Sequence, residues 1–366
     1  MRSRSRRSPD GYDEAGEPVS YLRPVRYPRL TRAAEVAAAL RSGPYAGAHI
    51  AWHVRLASWA LVALPAWLLF DPIWILPAIV GVELVWMVGL QWSAAMERSR
   101  QRVAIAEADR RRHEVFASFG ATGDPIWLSG GEGPAWRVGD LVFKQAPSEQ
   151  EWSWLGAHLP TVREDGFRIA LPVPAPGGRW VVDGLCAQTW LAGAHPNAPR
   201  WREVLLVCER LHAAMRHLPR PPFLEARTDP WAIGDRVAWG EVDPPVAHAF
   251  LARLLTIRRP VELPSQTIHG DLTENVLFHD GLAPAVIDLS VYWRPAGFAS
   301  AVVVGDAICW ANAEPAPLLA ATEHLEEFPQ LFVRAVIFRL ATTLVVGARG
   351  LGPYARVVDL AEELAG

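Results

Sequence analysis

The chain has 366 residues, enough for one large core or two domains. With 36 Lys plus Arg against 39 Asp plus Glu, its formal net charge is −3, so bulk charge gives no reason to expect a nucleic-acid partner. Its three cysteines, Cys186, Cys208 and Cys309, have neither metal nor redox spacing and make no even disulfide framework, which fits a reducing compartment.

Residues 1–46 are rich in Arg, Pro, Ser and Gly, with Arg2, Arg4, Arg6 and Arg7 at the start. They read as a basic disordered arm with one short helix over 31–40. The apolar core and cleavage pattern of a signal peptide are not in the right place. Residues 47–97 change character: the run 56–70 carries no charge, 73–90 carries only Glu83, and Asp71-Pro72 separates them. With its flanks each run reaches the ~20 helical residues that span hydrocarbon. Trp52, Trp67, Trp74 and Trp92 sit near the ends, where indoles favour the interface. This predicts an α-helical transmembrane hairpin in contact with the lipid bilayer. Arginines precede the first run and follow the second while the turn has none, so the positive-inside rule puts both ends in the cytoplasm. A buried or membrane-lying helical pair is the competing reading. Glu83 supports it, since a central carboxylate costs about 2.5–3.5 kcal/mol on insertion scales.

Residues 98–120 alternate in charge, with Val103, Ile105, Val115 and Phe116 at helical spacing, and read as a helical connector ended by Gly120. Residues 121–190 then read as short strands around one helix. Segment 129–139 holds Gly130, Gly131 and Gly133, and the strand-like run 140–143 after it leads to Lys144, the only lysine in the chain. Every other cation is written as arginine, so this position calls for an ammonium. A compact point charge fits between two phosphate oxygens and a carboxylate, which the wide guanidinium fork does not mimic. Glycines let a backbone approach phosphates closely, although Gly-Gly turns are common in any hairpin. A helix is expected over 149–159 with Ser148 as its N-cap, and further strands over 169–172, 179–182 and 185–191.

In residues 191–366, segment 201–217 has leucines and valines at core-helix spacing. Segment 221–243 is turn-rich and sets Glu225, Asp229, Asp235, Glu241 and Asp243 beside Trp231 and Trp239. It reads as a solvated surface loop, or else as a receiver for a cationic substrate. A helix over 247–256 precedes Thr267-Ile268-His269-Gly270-Asp271-Leu272-Thr273-Glu274-Asn275, an apolar strand, and then Asp288 at the end of Pro284-Ala285-Val286-Ile287. A loop with Asp and Asn, a hairpin and a second Asp is the layout phosphoryl transfer needs. Asp271 takes or orients the proton of an acceptor hydroxyl, while Asn275 and Asp288 hold magnesium against nucleotide phosphates. A helix over 299–310 contains Asp306. The apolar run 331–346 carries Arg334 and Arg339, and reads as core rather than as a third span.

His269-Gly270-Asp271 through Asn275, followed by Ile287-Asp288, resembles the catalytic core of the aminoglycoside phosphotransferase-like, or choline kinase-like, small-molecule kinases, in an actinobacterial branch. The likeness covers roughly the last two thirds of the chain. It implies an α+β, two-lobed protein-kinase-like fold, with a small lobe over 121–190 and a large lobe over 191–366, using ATP and Mg2+. It also implies a glutamate on the helix after Lys144 that pairs with the lysine, Glu151 or alternatively Glu149. Backbone groups at Gln188 to Trp190 are then expected to meet adenine, unless Trp190 simply packs between lobes, and Asp306 to brace the catalytic loop. One departure stands out: three residues separate Asp271 from Asn275, where the family usually has four. The expected activity is ATP-dependent phosphorylation of a hydroxyl on a small molecule at the cytoplasmic membrane face. The shortened loop keeps open a membrane-anchored nucleotide-binding scaffold with little or no turnover. Nothing in the sequence sets the acceptor or the oligomeric state.

Overall fold

The computed structural model describes residues 60–61, 75–128, 134–146, 148–348 and 350–366. The basic arm, the first apolar run with its turn, and the glycines Gly130, Gly131 and Gly133 lie outside the described residues, apart from 60–61 in the first run. The chain divides into two compact units, Arg29–Glu114 and one containing Val115–Gly366.

Helix α1 (Ile75–Ser118) covers the second apolar run and the charged connector without a break. Within the first unit, Val80, Leu84, Met87, Trp92 and Met96 are exposed on it. Further along, Arg110 bonds Glu107 at 2.8 Å and Glu114 at 3.1 Å, the i,i+3 and i,i+4 pairing that favours helix on a solvated face.

The second unit is α+β and two-lobed. Its small lobe is an antiparallel sheet of β1 (Ile126–Leu128), β2 (Ala135–Val138), β3 (Leu141–Gln145), β5 (Pro172–Val173), β6 (Val181–Val182) and β7 (Leu185–Thr189), in the order β1-β2-β3-β7-β5 with β6 also on β7. Between β3 and the two-residue strand β4 (Arg168–Ile169) runs α2 (Glu149–His158), started by Ser148, whose side chain accepts the Glu151 amide at 3.0 Å. Strand alternation sorts β3: Phe143 packs into the small-lobe core against Phe116 and Phe119, so Lys144 faces the other way.

The large lobe holds α3 (Trp201–Met215), α4 (Pro230–Trp239), α5 (Ala249–Ile257), the strands β8 (Gln266–His269), β9 (Val276–His279), β10 (Leu282–Val286) and β11 (Val291–Arg294), then α6 (Ala296–Ala311), α7 (Pro315–Thr322), α8 (Phe328–Val346) and α9 (Tyr354–Ala365). Two short ladders hold the loops between these strands: β8 with β11, and β10 between β9 and β4. The parallel β4–β10 pair ties the small-lobe segment to the large-lobe hairpin. Among the described residues, α8 is the one helix long and apolar enough to cross a membrane, and it is mostly buried. Leu331, Phe332, Val333, Ile337 and Leu340 are fully enclosed, as the core reading of 331–346 requires.

Segment 221–243 is corrected: it is no solvated loop but contains α4, with Ala232, Gly234, Val237 and Ala238 buried. Its signals are local ones, with Asp229 as N-cap accepting the Ala232 amide at 3.0 Å, Pro230 in the first turn and Gly240 left-handed after the end. Four of its five acids are also spoken for. Arg294 takes Asp235 at 2.6 Å and Glu241 at 2.7 Å, Arg227 takes Asp229 at 2.9 Å, and Arg220 takes Glu225 at 3.2 Å. The indole of Trp239 is flanked by Arg294 at 5.0 Å and Arg334 at 4.9 Å, so cations of the protein itself hold the places a substrate amine would need.

Helices α4 and α8 approach closely at Gly234. A Cβ there would lie 2.2 Å from Thr342 Oγ1 and 2.7 Å from the Phe338 carbonyl, a backbone atom that cannot swing aside. Gly234→Ala is therefore expected to lower unfolding stability by about 1–3 kcal/mol, the usual cost of overpacking. Chemical denaturation of the variant beside the parent measures it, and a loss below a few tenths of a kcal/mol would contradict the packing.

Candidate active site

Backbone register assembles the site. Val291 pairs with His269, and the Gly270 amide donates to Ser290 O at 2.9 Å, so the start of the His-Gly-Asp loop lies against the residues after Asp288. Val276 pairs with Val286, and the Ile287 amide donates to Asn275 O at 3.0 Å, so Asn275 and Asp288 share one end of the β9–β10 hairpin. Gly270 is required for its lack of a side chain: a Cβ would stand 2.5 Å from the Tyr292 ring.

His269 joins the two loops. Fully buried, its Nδ1 accepts the Asp271 amide at 3.3 Å and the Ser290 amide at 3.2 Å. Its own amide donates to Nε2 of His212 at 2.9 Å, and His212 Nδ1 lies 3.4 Å from Cys208 Sγ. Two acceptor roles at Nδ1 require the unprotonated nitrogen, and burial pushes His269 down to about 4. Burial, with His269 alongside, pushes His212 down to about 3. Both rings are neutral struts, which agrees with giving no proton-transfer role to His269.

The three-residue spacer closes as a tight turn. The Asn275 amide donates to Leu272 O at 3.0 Å and Glu274 takes a left-handed φ of 64°. A non-glycine residue there is strained by about 1–2 kcal/mol. The turn nevertheless returns Asn275 to Asp271: its Nδ2 donates to the Asp271 carbonyl at 2.6 Å, leaving Oδ1 as the free acceptor.

Lys144 and Asp288 are in direct contact as an ion pair, joining β3 to the loop after β10. Burial works against the lysine's charge, but Asp288 outweighs it and raises the ammonium above its ordinary value. For Asp288, burial pushes the carboxyl up while the Lys144 charge and hydrogen bond prevail and hold it below the usual aspartate range. Asp288 also takes a left-handed φ of 50°, a conformation stabilised on either side by the Asn275–Ile287 and His269–Ser290 hydrogen bonds.

One expected contact is corrected. The lysine's carboxylate partner is Asp288, and the helix α2 offers the ammonium the ring of Trp152, 5.2 Å from Nζ, instead of an ion pair with Glu151. Glu151 is buried, which raises its pKa, and it feels Arg227 more than Lys144. Glu149, the alternative, sits in the first turn of the helix, with no ion pair to Lys144. Gln188 and Trp190, expected near adenine, have contacts of their own within the small lobe. Gln188 lies in β7 between β3 and β5, so its backbone is in a strand paired on both edges, while its side chain favours the ionised form of Asp288. The Trp190 amide donates to Asp140 O at 2.8 Å, and Arg137 covers its ring at 4.4 Å.

Sequence reasoning missed Arg339 as a site residue. From α8 its guanidinium bonds Asp306 twice, at 2.9 and 2.6 Å, and also contacts the Asp271 carboxylate directly. Asp306 is 3% exposed on α6, and burial raises its pKa against the pull of Arg339. The only signal was an arginine in an apolar run, which pointed to burial and not to a partner. Arg294 is held in structural ion pairs with Asp235 and Glu241.

Among the described residues no group of three or more His, Cys, Asp or Glu is arranged as a metal site. A magnesium ion on nucleotide phosphates needs only one or two protein oxygens, the rest coming from phosphate and water. The Asp288 carboxylate with the free Asn275 Oδ1 fits that demand.

Together the residues present one ammonium, an oxygen pair suited to a hard cation, and a part-exposed carboxylate. No family model matches the chain, and no curated protein matches it. Solved structures similar to it include an apo thermostable mutant of aminoglycoside phosphotransferase APH(4)-Ia, at 17% identity over 69% of this chain and 97% of that one, with a TM-score of 0.46. Spectinomycin phosphotransferase APH(9)-Ia in complex with ADP and spectinomycin is similar at 13% identity, over 70% and 98%, with a TM-score of 0.46. A choline/ethanolamine kinase family protein from Mesorhizobium loti is similar at 17%, over 70% and 94%, with a TM-score of 0.40. Likeness at this level is one of outline and assigns no activity, ligand or ancestry.

The two neutral histidines give the fold a pH limit. Because their folded values lie below the ordinary 6.5, the unfolded chain binds protons between about 6.5 and 4 that the folded chain refuses. Stability is therefore unaffected by them above that window and falls as pH drops through it, by roughly 1.4 kcal/mol per pH unit for each ring. His212→Gln, whose amide oxygen can still take the His269 amide, should flatten the slope in denaturation measured at pH 7, 6 and 5. An unchanged slope would count against the strut role.

Proposed function

We propose that the chain is an ATP-dependent phosphotransferase acting on a hydroxyl of a small molecule, a member of the aminoglycoside phosphotransferase-like kinases that its motifs resemble. The observation that carries the reading is the convergence of Lys144 with Asp288 in one ion pair, next to the Asn275–Asp271 loop. Residues far apart in sequence meet there with the charges a nucleotide triphosphate needs.

Lys144 sets its ammonium against phosphate oxygens, with the Asp288 carboxylate and Asn275 Oδ1 offering oxygen ligands beside it. Magnesium, when bound, would neutralise phosphate charge. Asp271 presents a carboxylate oxygen to the acceptor hydroxyl. The acceptor oxygen forms the new bond to phosphorus as the bond to the β,γ-bridging oxygen breaks, and the hydroxyl proton leaves toward Asp271. Glu151, buried between the fields of Arg227 and Lys144, is an electrostatic neighbour of the lysine.

The membrane location belongs to the same proposal. Exposed Val80, Leu84, Met87, Trp92 and Met96 on α1 support an apolar surface in residues 80–96, and the arginines that follow from Arg98 suit an anionic, cytoplasmic face. The scaffold reading retains one specific observation in its favour: the short loop between Asp271 and Asn275 is strained at Glu274.

Two measurements test this. Full-length protein should bind ATP only with magnesium, and a panel of hydroxyl compounds should include one that gains the mass of a phosphoryl group. Lys144→Ala should abolish ATP binding, whereas Asp271→Asn should keep binding and lower transfer about 100-fold or more. Magnesium-dependent binding with no transfer to any compound, unchanged in Asp271→Asn, would favour the scaffold. For location, the protein should sediment with membranes and require detergent for release; recovery in the soluble fraction would remove the bilayer from the proposal.

A further inference from the structure

Asp306, Arg339 and Asp271 form a line of three side chains from two large-lobe helices to the catalytic loop. Asp306 on α6 bonds both Nε and Nη2 of Arg339, at 2.9 and 2.6 Å. That paired contact fixes the plane of the guanidinium, because its N–H groups are rigid within it. Nη2 then reaches Oδ1 of Asp271. The backbone of Asp271 is held from its other side, its amide on His269 Nδ1 at 3.3 Å and its carbonyl by Asn275 Nδ2 at 2.6 Å. With the main chain fixed at both ends and Oδ1 committed, Oδ2 is the oxygen left to face an acceptor.

We propose that Arg339 is a positioning residue for phosphoryl transfer, aiming the Asp271 carboxylate at the acceptor hydroxyl through the Asp306–Arg339–Asp271 line. This rests on the phosphotransferase reading and extends it to a residue that the motif does not contain. A purely structural role explains the Asp306 pair, since a buried carboxylate needs a counter-charge. It does not explain the third contact: the Asp271 side chain is 35% exposed and water alone would satisfy it. Three oxygens from two carboxylates on one guanidinium also account for arginine at this site. A lysine there would neutralise Asp306 but has no planar fork to reach both carboxylates in fixed directions.

The test uses full-length protein in detergent, with magnesium-ATP binding and slow ATP hydrolysis as readouts, water standing in for the acceptor. Arg339→Lys, which keeps the charge beside Asp306, is expected to fold, to bind magnesium-ATP within about threefold of the parent, and to lose about tenfold or more in hydrolysis rate, a loss confined to kcat. Arg339→Ala should lose more, and added methylguanidinium should restore part of its rate, which a general loss of structure would not permit. Parent-like hydrolysis in Arg339→Lys overturns the proposal. So does a loss of binding in step with rate, or failure of both variants to fold, since each makes the residue structural. If the parent itself binds no magnesium-ATP, the phosphotransferase reading falls and takes this proposal with it; if the parent binds and hydrolyses ATP while Arg339→Lys matches it, only the positioning role is lost.

Discussion

A charge removed from water must find an opposite charge or revert to its neutral form, and this constraint organises the centre of the protein. Asp306 is nearly inaccessible on an apolar helix and remains tolerable because Arg339 lies on it from the facing helix. Asp235 relies on Arg294 in the same manner. The elements of the large lobe, helix to helix and helix to strand, are thus joined by ionic contacts as well as by aliphatic packing. Breaking one partner of such a pair leaves the other stranded, at a cost of several kcal/mol, so these arginines are as much part of the core as Leu331 or Phe332.

The candidate site grows from that core. Close approach at Gly234 sets α8 against α4, and Arg339 follows Phe338, whose carbonyl marks the point of contact. Two ladders then deliver the loops: β8 with β11 brings Asp271 to the Arg339 side, and β9 with β10 brings Asn275 and Asp288 to the same end. His269, neutral and enclosed, hydrogen-bonds an amide from each loop and keeps their spacing. Lys144 arrives from the small-lobe sheet because strand alternation sends Phe143 to one face and the ammonium to the other.

Local signals were legible where the chemistry was local. Ser148 before an acidic first turn announced α2, and the lone lysine, the His-Gly-Asp loop and Asp288 identified the participants. The α4 helix was also legible in Asp229, Pro230 and Gly240, although its glycine and acids drew the reading toward a loop. Contacts between distant segments were less legible. The choice of Asp288 over Glu151 as the lysine's partner depends on how far α2 stands from β3, which no spacing records. Likewise, that Arg137 from β2 lies over the Trp190 ring is a contact between distant segments that no local spacing records.

By itself the sequence determined residue types and their order: an ammonium after a strand, two acids and an amide around a hairpin, apolar periodicities for the helices, and a charge-free stretch near the N-terminus. Those are properties of neighbours along the chain, where hydrogen-bonding capacity, period and charge are written directly. Only the tertiary structure decided who pairs with whom. Arg339 lies 68 residues from Asp271 and 33 from Asp306, and its meaning arises from helix packing that brings one guanidinium within hydrogen-bond range of both.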